Sequence, residues 1–224
     1  MTDKNVSIMN IGSMGYLPQV FKKIENEKKL NIVYLGGSIT MGCNATKTEL
    51  RYVDRSAKWW QTNFPDAEIS YFNAGIGATT SQFGVARVQE HVLDKQPDLV
   101  FVEFSVNDSS SPLFMETYES LVRRLLKAES VKAVVLINNL FYDTGTNAQG
   151  IHNAIGLHYD LPIVSVRNYI FPEIQLGNVC LADYTADMLH STDLGHKMIA
   201  DLICNLLDTC LLYTSPSPRD AHES

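Results

Sequence analysis

Five short runs of apolar, β-branched residues punctuate the chain: Asn31–Leu35 (NIVYL), Ile69–Phe72 (ISYF), Leu99–Phe104 (LVFVEF), Ala133–Ile137 (AVVLI) and Pro162–Val166 (PIVSV). Runs that are apolar on both faces suit the inner strands of a parallel sheet covered by helices. Between them, polar and apolar positions take up helical spacing near 47–63, 80–95, 113–129 and 147–159. The third of these is clearest, with Leu113 or Phe114, Tyr118, Leu121, Val122, Leu125 and Leu126 in one stripe. Phe21–Lys29 reads as a short charged helix feeding the first strand. His196–Asp208 reads as a closing helix with Ile199, Leu202, Ile203, Leu206 and Leu207 on one side. Strands alternating with helices predict one α/β domain around a five-stranded parallel sheet, built from right-handed βαβ units.

The segment 210–224, CLLYTSPSPRDAHES, breaks this logic. Pro216 and Pro218 stop any helix among Ser and Thr. Cys210–Asp220 also reads codon for codon as a translation of a common transposase sequencing adaptor. The segment is therefore expected to be a non-native read-through, the plainer alternative being an ordinary unstructured tail. Fold reasoning is confined to 1–209.

Composition narrows the function classes. The chain has 224 residues, 45% hydrophobic and 19% charged, with a net charge of -7. An acidic chain without a basic cluster excludes binding to a nucleic-acid backbone. No run of about 18 apolar residues is present to span a membrane, and the N-terminus lacks the apolar middle of a signal peptide. A cytoplasmic location is expected. The four cysteines form no C-x-x-C pair and suit a reduced compartment. No metal or organic cofactor is expected. Cys43, close after Ser38, reads as a bystander thiol.

Ligands of open α/β sheets gather outside the carboxyl ends of the strands. Reactive residue types lie there: Gly36-Gly37-Ser38 after the first run, Asn73-Ala74-Gly75 after the second, and Ser105-Val106-Asn107-Asp108 after the third. Asp187-Met188-Leu189-His190 precedes the last helix. Each alone has a plain reading: Ser38 as a helix cap, Asn107 as a turn residue, His190 as one satisfied histidine among six. GGSIT lacks the Lys-Ser/Thr pair of a phosphate-binding loop, and Thr80 stands where a dinucleotide fingerprint needs its third glycine. What discriminates is the spacing of Asp187 to His190. That carboxylate can reach the imidazole Nδ1–H, leaving Nε2 to accept a proton from a serine. Asp183 and Asp193 are rival acids without that spacing. His196 suits packing or helix capping.

Four blocks, GGSIT (36–40), NAGIGAT (73–79), VEFSVND (102–108) and DMLHSTDLGH (187–196), occur in this order. Together they resemble the SGNH (GDSL-like) hydrolase superfamily, in particular the branch with GGSIT in place of GDS. The resemblance runs from about Gly15 to Leu207. It implies a flavodoxin-like three-layer α/β/α sandwich and a serine esterase. Ser38 would be the nucleophile, His190 the general base and Asp187 its orienter. The oxyanion donors would be the Ser38 and Gly75 N–H groups and the Asn107 side chain. Two positions depart from the pattern: Gly37 replaces the usual aspartate, and Ser191 a frequent proline.

The GGSIT branch resembles carbohydrate esterases that remove acetyl groups, so a small-molecule or oligosaccharide ester is the expected partner, with neither nucleic acid nor membrane. Tyr52, Arg87 and Glu103, together with Trp59, Trp60, Tyr142 and His158, are candidates to line the substrate pocket, against the plain reading of such aromatics as core. The alternatives are a lipid, aryl or thioester hydrolase or an acyltransferase on the same scaffold. A different class would be a non-catalytic carbohydrate- or nucleotide-binding domain.

Overall fold

The computed structural model describes residues 3–214. In chain order its strands are β1 (Ile8–Asn10), β2 (Lys29–Gly36), β3 (Glu68–Gly75), β4 (Leu99–Glu103), β5 (Ala133–Asn138) and β6 (Ile163–Ser165). The helices are α1 (Leu17–Glu27), α2 (Ser38–Met41), α3 (Tyr52–Asn63), α4 (Ser81–His91), α5 (Pro112–Leu126), α6 (Gln149–His158), α7 (Val166–Gln175), α8 (Leu181–Tyr184) and α9 (Asp193–Thr214). The strands form one sheet in the order β1-β6-β5-β4-β2-β3. From β3 to β6 the pairing is parallel throughout, which is the flavodoxin-like order.

The sheet has six strands rather than the expected five. β1 adds an antiparallel edge on β6, with Ile8 opposite Val164. A three-residue edge strand takes its conformation from pairing, which leaves little pattern in the sequence. The helix expected over Phe21–Lys29 begins at Leu17 and buries Leu17, Val20, Phe21 and Ile24. α7 was not foreshadowed, and Pro172 lies inside it. The last helix begins at Asp193 and passes the expected end at Asp208 to reach Thr214. Its apolar stripe continues through buried Cys210 and partly buried Leu211 onto the core. Residues 215–224, the greater part of the expected foreign tail, lie outside the described residues.

Alternation along each strand sends side chains to two cores. Ile32 and Tyr34 of β2, Phe101 of β4 and Val135 of β5 meet α1, α3, α7 and α9. Val33, Leu35, Val102 and Leu136 meet α4, α5 and α6. The result is three layers. No helix among the described residues is long and apolar enough to cross a membrane.

Trp60 anchors the first core. It is fully buried, with ring centroids 5.5 Å from Phe21 and 5.0 Å from Trp59. Trp60→Ala should cost about 3–5 kcal/mol in urea unfolding. Trp60→Phe should cost less, because the indole Nε1 has no hydrogen-bond partner among the described residues. A Trp60→Ala loss under about 1 kcal/mol would contradict this packing.

Candidate active site

β2 lies between β3 and β4, at the point where strand order reverses. Gly36 pairs with Gly75 on one side and Glu103 on the other, so three strands end at one level. Ser38 opens α2 immediately beyond. Two glycines permit the approach. A Cβ on Gly37 would sit 2.5 Å from Asn107 Oδ1, and one on Gly75 would sit 2.6 Å from Met41 Cα. α2 is also tied from its flanks. Tyr52 Oη pairs with Thr40 Oγ1 at 2.8 Å, and Asn73 Nδ2 donates to the Thr40 carbonyl at 2.8 Å.

Ser38 is largely buried. Its Oγ lies 2.9 Å from His190 Nε2, across 152 residues of sequence, and His190 Nδ1 lies 2.7 Å from Asp187 Oδ2. Asp187 Oδ1 accepts the backbone N–H groups of His190 at 2.7 Å and Leu189 at 3.1 Å. Partial burial alone would raise the Asp187 pKa. The His190 ring and the two N–H donors outweigh that and hold the carboxyl at about 2, so it stays ionised.

The turn carrying this pair places Met188 at φ 66°. Tyr142 braces it: its N–H donates to the Met188 carbonyl at 2.8 Å, and its hydroxyl pairs with Ser191 Oγ at 3.0 Å. The rival acid Asp193 accepts both the N–H and the hydroxyl of Thr46. Asp183 accepts from Thr192 through its carbonyl. His196 is buried and bonded to the Cys43 carbonyl at 3.0 Å, a packing role. Burial, then the Asp187 carboxylate, pushes the Cys43 thiol up, which disfavours its thiolate.

Asn107 sits beside Gly37 in a turn after β4, its N–H bonded to the Phe104 carbonyl. The Ser38 N–H, first in its helix, has no intrahelical acceptor. Gly75 departs from expectation: its N–H already donates to Asn73 Oδ1 at 2.9 Å, because that side chain folds back over the strand end. The absence of a Cβ there serves packing on α2. Gly77 and Ala78 are the residues that reasoning from sequence missed. A Cβ on Gly77 would lie 3.9 Å from Ser38 Cβ, and neither N–H has an acceptor among the described residues. Ala78 stands at φ 57°, where an alanine gives no sequence signal.

Of the residues expected to line the pocket, Tyr52, Arg87, Glu103, Trp60 and Tyr142 are buried and so point into the protein. Tyr52 is a core residue bonded to Thr40. Arg87 is buried beneath the strand ends, with its guanidinium on the Ala74 and Gly36 carbonyls. Glu103 is buried and accepts from the Ser105 N–H and hydroxyl. Trp60 is core, Trp59 donates to Asp208 at 2.8 Å, Tyr142 braces the histidine turn, and His158 lies exposed on α6. Sequence pattern placed these near the strand ends or helix faces but carried no signal for direction.

Residues 34–198 match the GDSL-like Lipase/Acylhydrolase family. The flavodoxin-like sheet with a serine at its switch point agrees with that match. The chain belongs to the GDSL-like lipase/acylhydrolase family. Among solved structures it is similar to a two-domain esterase (CEX) active on acetylated mannans, co-crystallized with mannopentaose. The identity is 43% and the TM-score 0.93, over 97% of this chain and 59% of that one. The chain thus spans 59% of that esterase's length. A catalytic mutant of Axe2, an acetylxylan esterase from Geobacillus stearothermophilus, shares the fold at 20% identity and TM-score 0.66, over 80% of this chain and 94% of that one. So does LAE5, an alpha/beta hydrolase from the metagenome of Lake Arreo, Spain, at 20% identity and TM-score 0.67, over 81% of this chain and 96% of that one. No curated protein matches the chain.

Glu103 gives the site a pH signature in stability. Burial raises its carboxyl from 4.5 to about 7, against the Ser105 donors that favour the anion. The folded state therefore holds this proton more tightly than the unfolded chain does. Its stabilising effect is full below pH 4.5 and is lost as pH rises through about 7. The span is about 3 kcal/mol at most. Glu103→Gln keeps the acceptor for Ser105 and cannot ionise. Thermal melts should show Glu103→Gln gaining on the wild type between pH 5 and pH 8; an equal gap at both would contradict the burial account.

Proposed function

We propose that the protein is a serine esterase that hydrolyses short-chain acyl esters of carbohydrates, chiefly acetyl esters, through an acyl-enzyme on Ser38. The observation that carries this reading is the unbroken relay from Ser38 Oγ to His190 Nε2 and from His190 Nδ1 to Asp187. A neutral hydroxyl is a weak nucleophile until a positioned base takes its proton. His190 Nε2 takes it as Oγ attacks the ester carbonyl, and ionised Asp187 fixes the tautomer and stabilises the imidazolium.

Attack places negative charge on the carbonyl oxygen. The donors assigned to it are the Ser38 N–H, the Asn107 side-chain amide and an N–H from Gly77 or Ala78, in place of Gly75. His190 then passes its proton to the departing alkoxide of the sugar, leaving an acyl group on Ser38. Water repeats the sequence with His190 as base and releases the acid. No step calls on a metal or organic cofactor. Acetylated mannan-type oligosaccharides are the substrate class this reading favours, because the 43%-identical two-domain esterase acts on acetylated mannans.

Acetate release from acetylated mannan and xylan oligosaccharides, beside a p-nitrophenyl ester series, tests the proposal. Acetyl should be preferred over butyryl and octanoyl. Ser38→Ala and His190→Ala should each lower kcat by roughly 10³-fold or more. Asn107→Ala should lower kcat by about 10²–10³-fold, with a much smaller change in KM. Undiminished turnover by Ser38→Ala or His190→Ala would remove the catalytic assignment. Preference for long acyl chains with no acetate release would turn the reading toward a lipid hydrolase.

A further inference from the structure

Arg87 is a buried cation that the hydrolytic steps above leave without a task. It lies on α4, 5% exposed. Its guanidinium faces backbone rather than a carboxylate. Nη1 donates to the Ala74 carbonyl at 2.6 Å and Nη2 to the Gly36 carbonyl at 3.0 Å. Nη1 also lies 3.3 Å from His91 Nδ1, and the guanidinium carbon is 5.8 Å from the Phe83 ring centroid. Burial lowers its pKa to about 10, which still leaves it charged at neutral pH. Holding an unpaired charge inside a protein is costly, so its retention here calls for a gain elsewhere.

The two carbonyls it grips show where that gain falls. Gly36 is the last residue of β2, directly before the Gly37-Ser38 turn, and its oxygen also accepts the Ile76 N–H at 3.1 Å. The Ala74–Gly75 peptide is gripped at both ends, its carbonyl by Arg87 and its N–H by Asn73 Oδ1 at 2.9 Å. Asn73 in turn donates from Nδ2 to the Thr40 carbonyl of α2. Hydrogen bonds from one planar group thus reach the chain just before Ser38 directly and just after it through Asn73. The same bonds fix the strand end from which the loop of Gly77 and Ala78 departs.

We propose that Arg87 is a positioning residue for ester hydrolysis: its guanidinium fork locks the ends of β2 and β3, holding Ser38 Oγ and the oxyanion donors in their reactive arrangement. The inference rests on the esterase reading above. A lysine keeps the charge but not the fork, because an ammonium is a point donor on a flexible stem. A methionine keeps much of the volume and removes both donors.

The test uses the full chain as wild type, Arg87→Lys, Arg87→Met and Ser38→Ala. Initial rates are measured on p-nitrophenyl acetate, and competent serines are counted by titration with a fluorophosphonate, so that kcat refers to reactive sites alone. Arg87→Lys should lower kcat per titrated site by roughly 10- to 100-fold with KM within about threefold, since a small misplacement of reacting groups costs that much. Arg87→Met should lose at least as much, and phosphonylation should slow in parallel. A purely structural arginine would reduce the fraction of titratable protein and the melting temperature while leaving kcat per site unchanged; that result overturns the proposal. Should Arg87→Met fail to fold, Arg87→Lys decides: kcat per site within about twofold of wild type sinks the inference. A wild type that neither turns over nor labels refutes the esterase reading itself, and the inference with it. An active, labelled wild type beside an unimpaired Arg87→Lys refutes the role of Arg87 alone.

Discussion

The site depends on three parallel strands ending at one level around β2, with room left by two missing Cβ atoms. Gly36 pairs with both Gly75 and Glu103, so the chain leaves the sheet at Ser38 beside the turn that carries Asn107. Gly75 lets the α2 backbone close against β3, and Gly37 lets Asn107 close against the turn before Ser38. The third contribution arrives from far along the chain. α9 brings the turn of His190 across, and its first turns are stitched to the segment after α2 by Asp193 on Thr46 and His196 on Cys43.

The two halves of the site are held differently. The Ser38 side is buried, its carbonyls gripped by Arg87 and Asn73 and its helix tied to Tyr52. Such prior fixing is what makes donors effective toward a developing charge, since nothing need reorganise during reaction. The histidine side is more open, with side-chain exposures of 23% for His190 and 48% for Asp187. It keeps its shape through local bonds: the Asp187 carboxylate closes its own turn, and Tyr142 braces Met188 and Ser191. Ser191 is buried, and its hydroxyl pairs with that of Tyr142 just after the histidine.

Much of this was legible in the sequence, for local reasons. The inner strands β2, β4, β5 and β6 announce themselves because they are apolar on both faces, whereas β3 closes the sheet as an edge strand with Tyr71 and Phe72 exposed. Asp187 and His190 could be paired because a carboxylate three residues before an imidazole can reach its Nδ1–H within one turn of chain. Ser38 and Asn107 could be placed because strand ends at a switch point converge. The features that escaped depend on distant partners. β1 exists through its pairing with β6, and the end of α9 through contacts of Cys210 and Leu211 with the core. The Gly75 N–H is taken by a rotamer of Asn73, which no spacing reveals. Arg87, Glu103, Tyr52 and Tyr142 were recognised as lying close to the chemistry, yet each points into the protein. Amphipathic pattern marks a face of an element, not which of two buried polar roles a side chain will take.

Convergence of Ser38 and His190 on one reacting atom is tested most directly by locating a covalent adduct. After treatment with a fluorophosphonate, peptide mapping by mass spectrometry should find a single phosphonyl group, on the peptide containing Ser38, and none on His190→Ala under the same exposure. A modified residue elsewhere, or equal labelling of Ser38 without the imidazole, would contradict the account.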